Sequence, residues 1–306
     1  MTPETPPPPD ISPDSPPDNT PDARSHPRLI CPPFDLRKLR GHLFIDGLMR
    51  WGAGISVCAL VIGGSLMDVS SAWLTTAMVF IIAGLWIGIG ALSARSWHEL
   101  RQLPQLIEID PQLAEHRLAE CLARRFLQRP VRLLLHHRLA MLRHRQERYA
   151  ETAAICRELL GYRISAAGRV HTHLLLMLAE SSLTENDMAG TYTALTQLHR
   201  VKLTLTEKAQ RMALQTRYEI EMGHHQLVIA GLKDKIQLAE LMPASQCGAI
   251  HAMFAVAAQR AQHPALSQWL NERALLLCGN DQLAILNHQI GFLDIPDPAY
   301  VSGSTI

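Results

Sequence analysis

The chain has 306 residues, of which 47% are hydrophobic and 19% charged, and its formal net charge is +1. This length suits one or two domains, and the near-neutral charge argues against a nucleic-acid-binding protein. Six cysteines lie far apart, with no Cys-x-x-Cys or Cys/His metal spacing. This spacing excludes a small disulfide-stapled scaffold and favours free thiols in a reducing compartment.

The first segment, 1–33, holds twelve of the nineteen prolines and almost no large apolar side chain. Such a composition cannot bury enough surface to offset its ordering entropy, so we predict a disordered Pro-rich tail. The four prolines at 6–9 suit a proline-reading groove, although a solvated spacer is the favoured alternative. The start has no basic region followed by an apolar stretch, so we expect no cleaved signal peptide.

The next segment, 34–50, is predicted to form an amphipathic juxtamembrane helix. Leucines recur at helical spacing among basic residues, a pattern typical of a helix lying at the lipid headgroups. The leucines are Leu36, Leu39, Leu43 and Leu48, and the basic residues are Arg37, Lys38 and Arg40.

Two apolar stretches, 51–67 and 73–92, follow, and Asp68 is the only charged residue between Trp51 and Leu92. A helix needs about 20 apolar residues, and at least about 17, to cross a bilayer's hydrocarbon core, so both stretches are long enough. The short linker around Asp68 allows only a tight reversal. We therefore predict a transmembrane hairpin whose first span acts as an uncleaved anchor.

Basic residues flank the hairpin on one side only, because the linker has no Lys or Arg. The positive-inside rule then predicts a two-span membrane protein with both termini and the following domain cytoplasmic. Gly84, Gly88 and Gly90 form a small-residue face in the second span. This face favours packing of the two spans within one chain, with a homo-oligomer contact as the alternative.

From 93 onward the helical signals dominate, and we predict an all-α fold. The stretch 93–130 is expected to hold connecting helices, with a strong start at Asp110-Pro111. A helical repeat domain is predicted over 131–295, and a flexible tail over 296–306. The repeat helices are expected at 131–145, 149–160, 169–183, 188–201, 206–222, 225–242, 245–261, 264–278 and 281–293.

These helices form pairs joined by short polar turns that recur every 37 to 40 residues. Recurrence at this period is typical of an α-solenoid, in which stacked helical hairpins share one core. A second signal adds to the hydrophobic spacing: Thr204 and Glu207 fit a capping box, which marks the start of a helix.

Over 131–278 the chain resembles the tetratricopeptide repeat family. Leu139 and Ala140 match the apolar-then-small pair of the family's first helix, and the stretch 149–151 (Tyr-Ala-Glu) matches the start of its second. Leu178 and Ala179 repeat the first pattern. The departures are Glu147 and Asn186 at the usual glycine turn position, Thr152 and Thr191 in place of alanine, and a period above 34.

The resemblance implies a concave groove, lined by the first helix of each unit, that binds peptide or protein segments. Transferring the groove positions onto this sequence selects His137, His144, Arg145, His173 and Glu180. A mixed His/Arg lining suits an acidic or C-terminal peptide. For each of these residues taken alone, the favoured alternative is that it is an exposed polar residue with no binding role.

Catalytic and metal signatures are missing from the sequence. The histidine pairs at 136–137, 171/173 and 224–225 lack the i, i+4 spacing that converges on one helix face, so we predict no metal site. No nucleophile elbow, phosphate-binding loop or dinucleotide-binding unit is present, and we expect neither an enzyme nor a cofactor.

Arginines cluster between Arg117 and Arg148 with few acids among them. A solvated face is the usual explanation, attraction to anionic headgroups is the second, and nucleic-acid binding is the least favoured. The leading hypothesis is a membrane-anchored, non-enzymatic scaffold that binds a protein partner. The alternatives are a membrane-anchored enzyme or accessory factor with a small-molecule site, and a membrane oligomer built on the glycine faces.

Overall fold

The computed structural model describes residues 34–66, 72–124, 129–162 and 168–278. Every secondary-structure element within these ranges is a helix, which confirms the predicted all-α class for this part of the chain. The predicted tails at 1–33 and 296–306, the Asp68 reversal and the predicted helix at 281–293 lie outside the described residues.

The helices in chain order are as follows. They are α1 (Leu36–Leu66), α2 (Ala72–Ile109), α3 (Pro111–Ala123), α4 (Arg129–Arg145), α5 (Tyr149–Leu160), α6 (Gly168–Thr184), α7 (Met188–Arg200), α8 (Leu205–Glu221), α9 (His225–Ile229), α10 (Leu232–Ala239), α11 (Ala244–Arg260) and α12 (Pro264–Leu277).

Helix α1 is continuous across the predicted juxtamembrane helix and nearly all of the predicted first span. Its first turns are packed against the helical domain, because Leu39 and Leu43 are buried in the same cluster as residues of α4 and α5. Arg40 also donates two hydrogen bonds of 2.8 Å to the Glu158 carboxylate on α5. The spacing of these two leucines predicted that they lie at the lipid headgroups, whereas here they face protein.

Helix α2 carries the predicted second span and then continues into the domain, where Leu100, Leu103 and Ile107 are buried. The earlier part of α2 and the later part of α1 expose large apolar side chains, with Trp51 75% and Phe80 72% exposed. A membrane-spanning helix, sufficiently long and apolar, was not found among the residues that the structure describes.

From α4 onward, helices that follow each other in the chain pack side by side: α4 with α5, α6 with α7, and α11 with α12. The third pair differs from expectation, because the predicted single helix at 225–242 is two short helices, α9 and α10. Gly231, at φ +67°, starts α10 in the left-handed conformation and so breaks the helix in two.

The turns inside the four pairs share one geometry. A left-handed residue stands at each turn: Glu147 (φ 59°), Asn186 (62°), Gly223 (77°) and Gln262 (65°). The N–H of the left-handed residue donates to the carbonyl oxygen three residues earlier. The N–H of the residue that follows it donates to a carbonyl oxygen five residues earlier, as Arg148 N does to Arg143 O at 2.9 Å. This is the Schellman ending of a helix, repeated at intervals of 39, 37 and 39 residues.

A buried arginine joins the first pair to the helices before it. Arg143 is completely buried, and its guanidinium donates to Glu115 on α3 at 2.9 Å and lies 3.2 Å from the Glu151 carboxylate on α5. Glu151 also accepts the Phe34 backbone N–H at 2.8 Å. One guanidinium therefore connects three helices and, through Glu151, the start of α1.

Glycine at the non-glycine turn positions should stabilise the fold. A side chain in the left-handed region costs about 1–2 kcal/mol, which exceeds the entropy cost of glycine, so we expect Gln262→Gly to add about 1 kcal/mol of stability. Gly223→Ala should remove a similar amount. Urea unfolding of the full chain, followed by circular dichroism, measures both, and a loss of stability in Gln262→Gly would contradict the turn geometry.

Removing Arg143 should be severe, because Arg143→Met takes away the guanidinium that lies against the buried Glu115 carboxylate, while Glu151 keeps Arg148 at 3.2 Å. We expect a loss of about 3–5 kcal/mol of unfolding free energy. Arg157→Met is the matched control, since Arg157 forms a solvent-exposed ion pair with Asp187 and should cost about 1 kcal/mol or less. Equal losses of unfolding free energy in the two variants would show that the buried network stabilises the fold no more than an exposed ion pair does.

Candidate functional site

The helices form an open cavity of about 750 Å³, which we call the groove. Its walls come from the first helix of each pair, namely α4, α6, α8 and α11, from Met242 in the connection before α11, and from the last turns of α2, which contribute Pro104, Ile107 and Glu108. The second helices of the pairs, α5, α7, α9, α10 and α12, do not supply lining residues.

Equivalent positions of successive pairs line the groove. Met177, Leu214 and Met253 each stand nine residues before the left-handed turn residue of their own pair, and all three face the cavity. We call them the apolar row. His173, Gln210 and Ala249 stand thirteen residues before the same turns and also line the cavity. We call these the polar row, although it ends in an alanine.

Four of the five predicted groove residues line the cavity: His144, Arg145, His173 and Glu180. The fifth, His137, lies behind the wall and is buried. It contacts His173 through a hydrogen bond of 3.0 Å between its Nε2 and the Nδ1 of His173. The structure therefore brings all five residues together at the interface of α4 and α6.

His144 and Glu180 bridge the two helices, with 3.2 Å between Nε2 of the ring and the nearer carboxylate oxygen. The His144 ring also packs edge-on against Tyr149 at 5.5 Å. Partial burial raises the pKa of Glu180, but the hydrogen bond from His144 and the positive charges around it lower that pKa further, to a value below the ordinary one. Glu180 is therefore an anion at neutral pH.

His137 behind the wall and His173 in the wall, whose rings meet edge-on, are both neutral. Burial, with the neighbouring His173 and Arg138, lowers the pKa of His137 to about 3. Burial also lowers the pKa of His173, which Arg138 and His144 lower further. The Nδ1 atom of His137 is buried and has no hydrogen-bond partner among the described residues. A neutral pair of this kind positions His173 in the wall without adding charge to it.

The rest of the groove is mostly apolar and rich in methionine. Met141 and Met242 add to the two methionines of the apolar row. Methionine is flexible and polarizable, so a surface that contains several can adjust to ligands of different shape. Glu108 and Arg145, both exposed, and the Gln246 amide supply further polar groups at the rim. The groove can therefore contact an amphipathic ligand along its length, but it shows no arrangement of nucleophile and base.

Sequence reasoning missed the groove residues of α2, α8 and α11. The signal for Gln210 and Leu214 was present, since counting back from Gly223 gives both, but only the first two pairs were used for the transfer. Glu108 had no such signal, because it lies outside the repeats and reaches the groove only through the packing of α2 against α4.

The predicted glycine contacts lie on an open face of α2. A side-chain carbon added at Gly84 or Gly88 would meet no described atom within 4 Å. Gly90 lies further along the same helix, and its surroundings are not described. Close packing against α1 is therefore not seen at Gly84 or Gly88.

Among the described residues, no group of three or more His, Cys, Asp or Glu side chains could hold a metal ion. No protein-family model matches the chain, and neither does any curated protein or solved structure. The groove and the two exposed apolar helices are therefore the features that bear on function.

Acid should destabilise the fold through the histidine pair. The pKa of His137 is about 3 in the folded chain and returns to 6.5 on unfolding, so between these values the unfolded state binds more protons. The stability that depends on neutral His137 is complete above pH 6.5 and is lost as the pH falls toward 3. We expect a loss of about 1.4 kcal/mol per pH unit below about 6 from this residue.

Urea unfolding at a series of pH values measures this slope. His137→Leu should flatten it, because leucine does not titrate, whereas His199→Leu, at an exposed position on α7, should leave it unchanged. An identical slope in the wild-type chain and in His137→Leu would contradict the assignment.

Proposed function

We propose that this chain is a membrane-anchored, non-enzymatic scaffold whose cytoplasmic, tetratricopeptide-like repeats bind a segment of a protein partner in the groove. The observation that carries the proposal is the repetition of lining positions from one helix pair to the next. In a cavity that arises only from irregular packing, the lining residues would not occupy equivalent positions in three pairs. In a binding surface built from repeats they do, because each unit contributes the same helix face.

The two rows support a peptide ligand in particular. First helices in contact with each other stand about 8–10 Å apart, so the apolar row offers side chains at roughly that interval along the groove. An amphipathic helix presents its apolar residues at i and i+7 with a similar interval of about 10 Å. The methionines fit its apolar face, while Gln210, Arg145 and Glu180 are available to its polar groups.

Exposed apolar surface supports the membrane anchor. Large apolar side chains are exposed along both long helices, and a soluble monomer rarely leaves so much of its apolar surface in water. They are Phe44, Ile45, Leu48, Trp51, Ile55 and Ile62 on α1, and Trp73, Phe80, Ile81 and Ile87 on α2. The predicted spans, 51–67 and 73–92, are about 26 and 30 Å long as helices at 1.5 Å per residue, so the second matches a hydrocarbon core of about 30 Å and the first is near the lower limit of about 17 residues.

The cations flanking the spans favour a cytoplasmic domain, as the sequence analysis expects. Anchoring would raise the local concentration of a membrane-bound partner near the groove. The open face at Gly84 and Gly88 is also available to a second copy of the chain within the bilayer, so a homo-oligomer is compatible with the same anchor.

The second candidate is a membrane-anchored enzyme or accessory factor with a small-molecule site. One observation favours it: a cavity of 750 Å³ lies within the range of small-molecule pockets. The peptide proposal is stronger, because the polar groups are distributed along all four helix pairs and do not converge on one point.

The anchor is tested by adding charge to the exposed face of α2. Ile81→Lys with Ile87→Lys should weaken membrane insertion, because each lysine at the centre of a span costs about 2.5–3.5 kcal/mol. Ile109→Lys is the matched control, since Ile109 is 82% exposed at the end of the same helix, outside the proposed span. Resistance to extraction by alkaline carbonate is the measurement, and equal resistance of all three chains would contradict the anchor.

The groove is tested by photo-crosslinking in intact membranes followed by purification. The variant Arg145→Glu with Gln210→Glu changes two exposed groove residues, and we expect it to reduce partner capture at least severalfold. The control, Lys233→Glu with Gln197→Glu, makes the same change of charge at exposed positions outside the groove. Equal capture by both variants, with one protein recovered, would place the partner elsewhere. Recovery of a small molecule alone would favour the second candidate.

A further inference from the structure

The ionisable side chains of the groove lie toward one end of it. They are Glu108 on α2, His144 and Arg145 on α4, and His173 and Glu180 on α6. The lining residues of α8 and α11 include no ionisable side chain. Because α2, α4, α6, α8 and α11 contact one another in this order, the groove has two different ends. We call the side of α2 and α4 the charged end and the side of α8 and α11 the uncharged end.

Two charges at the charged end are available to a ligand. Arg145 and Glu108 are exposed, and neither forms an ion pair with another described residue. The remaining ionisable groups are already engaged or carry no charge, since His144 pairs with Glu180 at 3.2 Å and His173 is neutral. This end of the groove therefore offers one free cation and one free anion.

Charged residues of α8 occur near the groove but are not part of its lining. Neither Glu207 nor Arg211 lines the cavity. The Glu207 carboxylate accepts the Thr204 backbone N–H at 2.7 Å and the Thr204 hydroxyl at 2.9 Å, which holds it at the start of α8. The uncharged end therefore presents only apolar groups and the amides of Gln210 and Gln246 to a ligand.

The lining side chains also become smaller toward the uncharged end. Ten residues before the left-handed turn, α6 has Leu176 and α8 has Ala213. Thirteen residues before it, α6 has His173, α8 has Gln210 and α11 has Ala249. Smaller side chains in the wall leave room for a larger side chain of the ligand. The other apolar residues around this space are Leu214, Met242, Ile250 and Met253.

We propose that the groove binds a helical segment in one orientation, with a bulky apolar side chain between α8 and α11 and an acidic and a basic side chain beside Arg145 and Glu108. The inference rests on the proposed function of the groove and adds the chemistry and direction of its ligand. In the reverse orientation, the charges of the ligand would leave water for a lining that holds no opposite charge, which is unfavourable.

The spacing of the helices sets the distance between the two features of the ligand. Helix α6 lies between α4 and α8, so the two ends are separated by about two helix spacings of 8–10 Å each. Three turns of a ligand helix, about 11 residues, rise about 16 Å and return to the same face. The bulky and the charged side chains of the partner are therefore expected about three turns apart on one face.

Photoreactive peptides test this orientation. The probe is a synthetic amphipathic helix with a tryptophan at one end and a glutamate and a lysine three turns further along the same face. A benzophenone, which reacts preferentially with methionine, replaces the tryptophan in the first peptide and a residue beside the glutamate in the second. The full chain in phosphatidylcholine nanodiscs is irradiated with each peptide, and mass spectrometry locates the labels. We expect the ratio of labelling at Met253 to labelling at Met141 to be at least about fivefold higher for the first peptide.

Removing the two free charges should reduce this difference between the peptides. The variant is Arg145→Gln with Glu108→Gln, and the control is Lys233→Gln with Glu272→Gln, which removes one cation and one anion at exposed positions outside the groove. Labels within the groove at the same ratio for both peptides would overturn the orientation and leave the function of the groove intact. Labels found only outside the groove would overturn the proposed function itself. An equal reduction in the control would overturn the assignment of the two charges.

Discussion

The left-handed residue between the two helices of each pair is the constraint from which the groove follows. Its Schellman hydrogen bonds fix where the first helix ends, so they fix which residues, counted back from the turn, face inward. Met177 and Met253 share a register for this reason, although their sequences have little in common around them. Three of the four turn residues, Glu147, Asn186 and Gln262, are not glycine, so the left-handed backbone conformation, and not glycine itself, is what recurs.

The groove also depends on a helix outside the repeats. The end of α2 forms one wall, and its beginning is the apolar segment that we assign to the bilayer. The start of α1 is held to α5 by Leu39 and by the Arg40–Glu158 pair. Anchor and groove therefore belong to one continuous packed structure. In this arrangement, the membrane would set the position of the binding surface and not only its local concentration.

The groove resembles a site for recognition more than one for reaction. Its buried histidine pair is neutral, its ionised Glu180 is paired, and its floor is formed by flexible apolar side chains. Such a lining can follow the shape of a peptide, which is the kind of ligand that we propose for it.

The sequence alone predicted most of the helices and four of the residues that line the groove. Hydrophobic spacing predicted 149–160, the bounds of α5, and the repeat resemblance selected five residues that the structure brings together at α4 and α6. The prediction of one helix over 225–242 was wrong, because Gly231 divides a segment whose hydrophobic spacing is continuous. The prediction that Leu39 faces lipid was also wrong, because an apolar helix face suits lipid and protein equally well. Local spacing determines which face of a helix is apolar. Only tertiary packing decides what covers that face, because the covering residues come from distant parts of the chain, as Glu108 does in the groove.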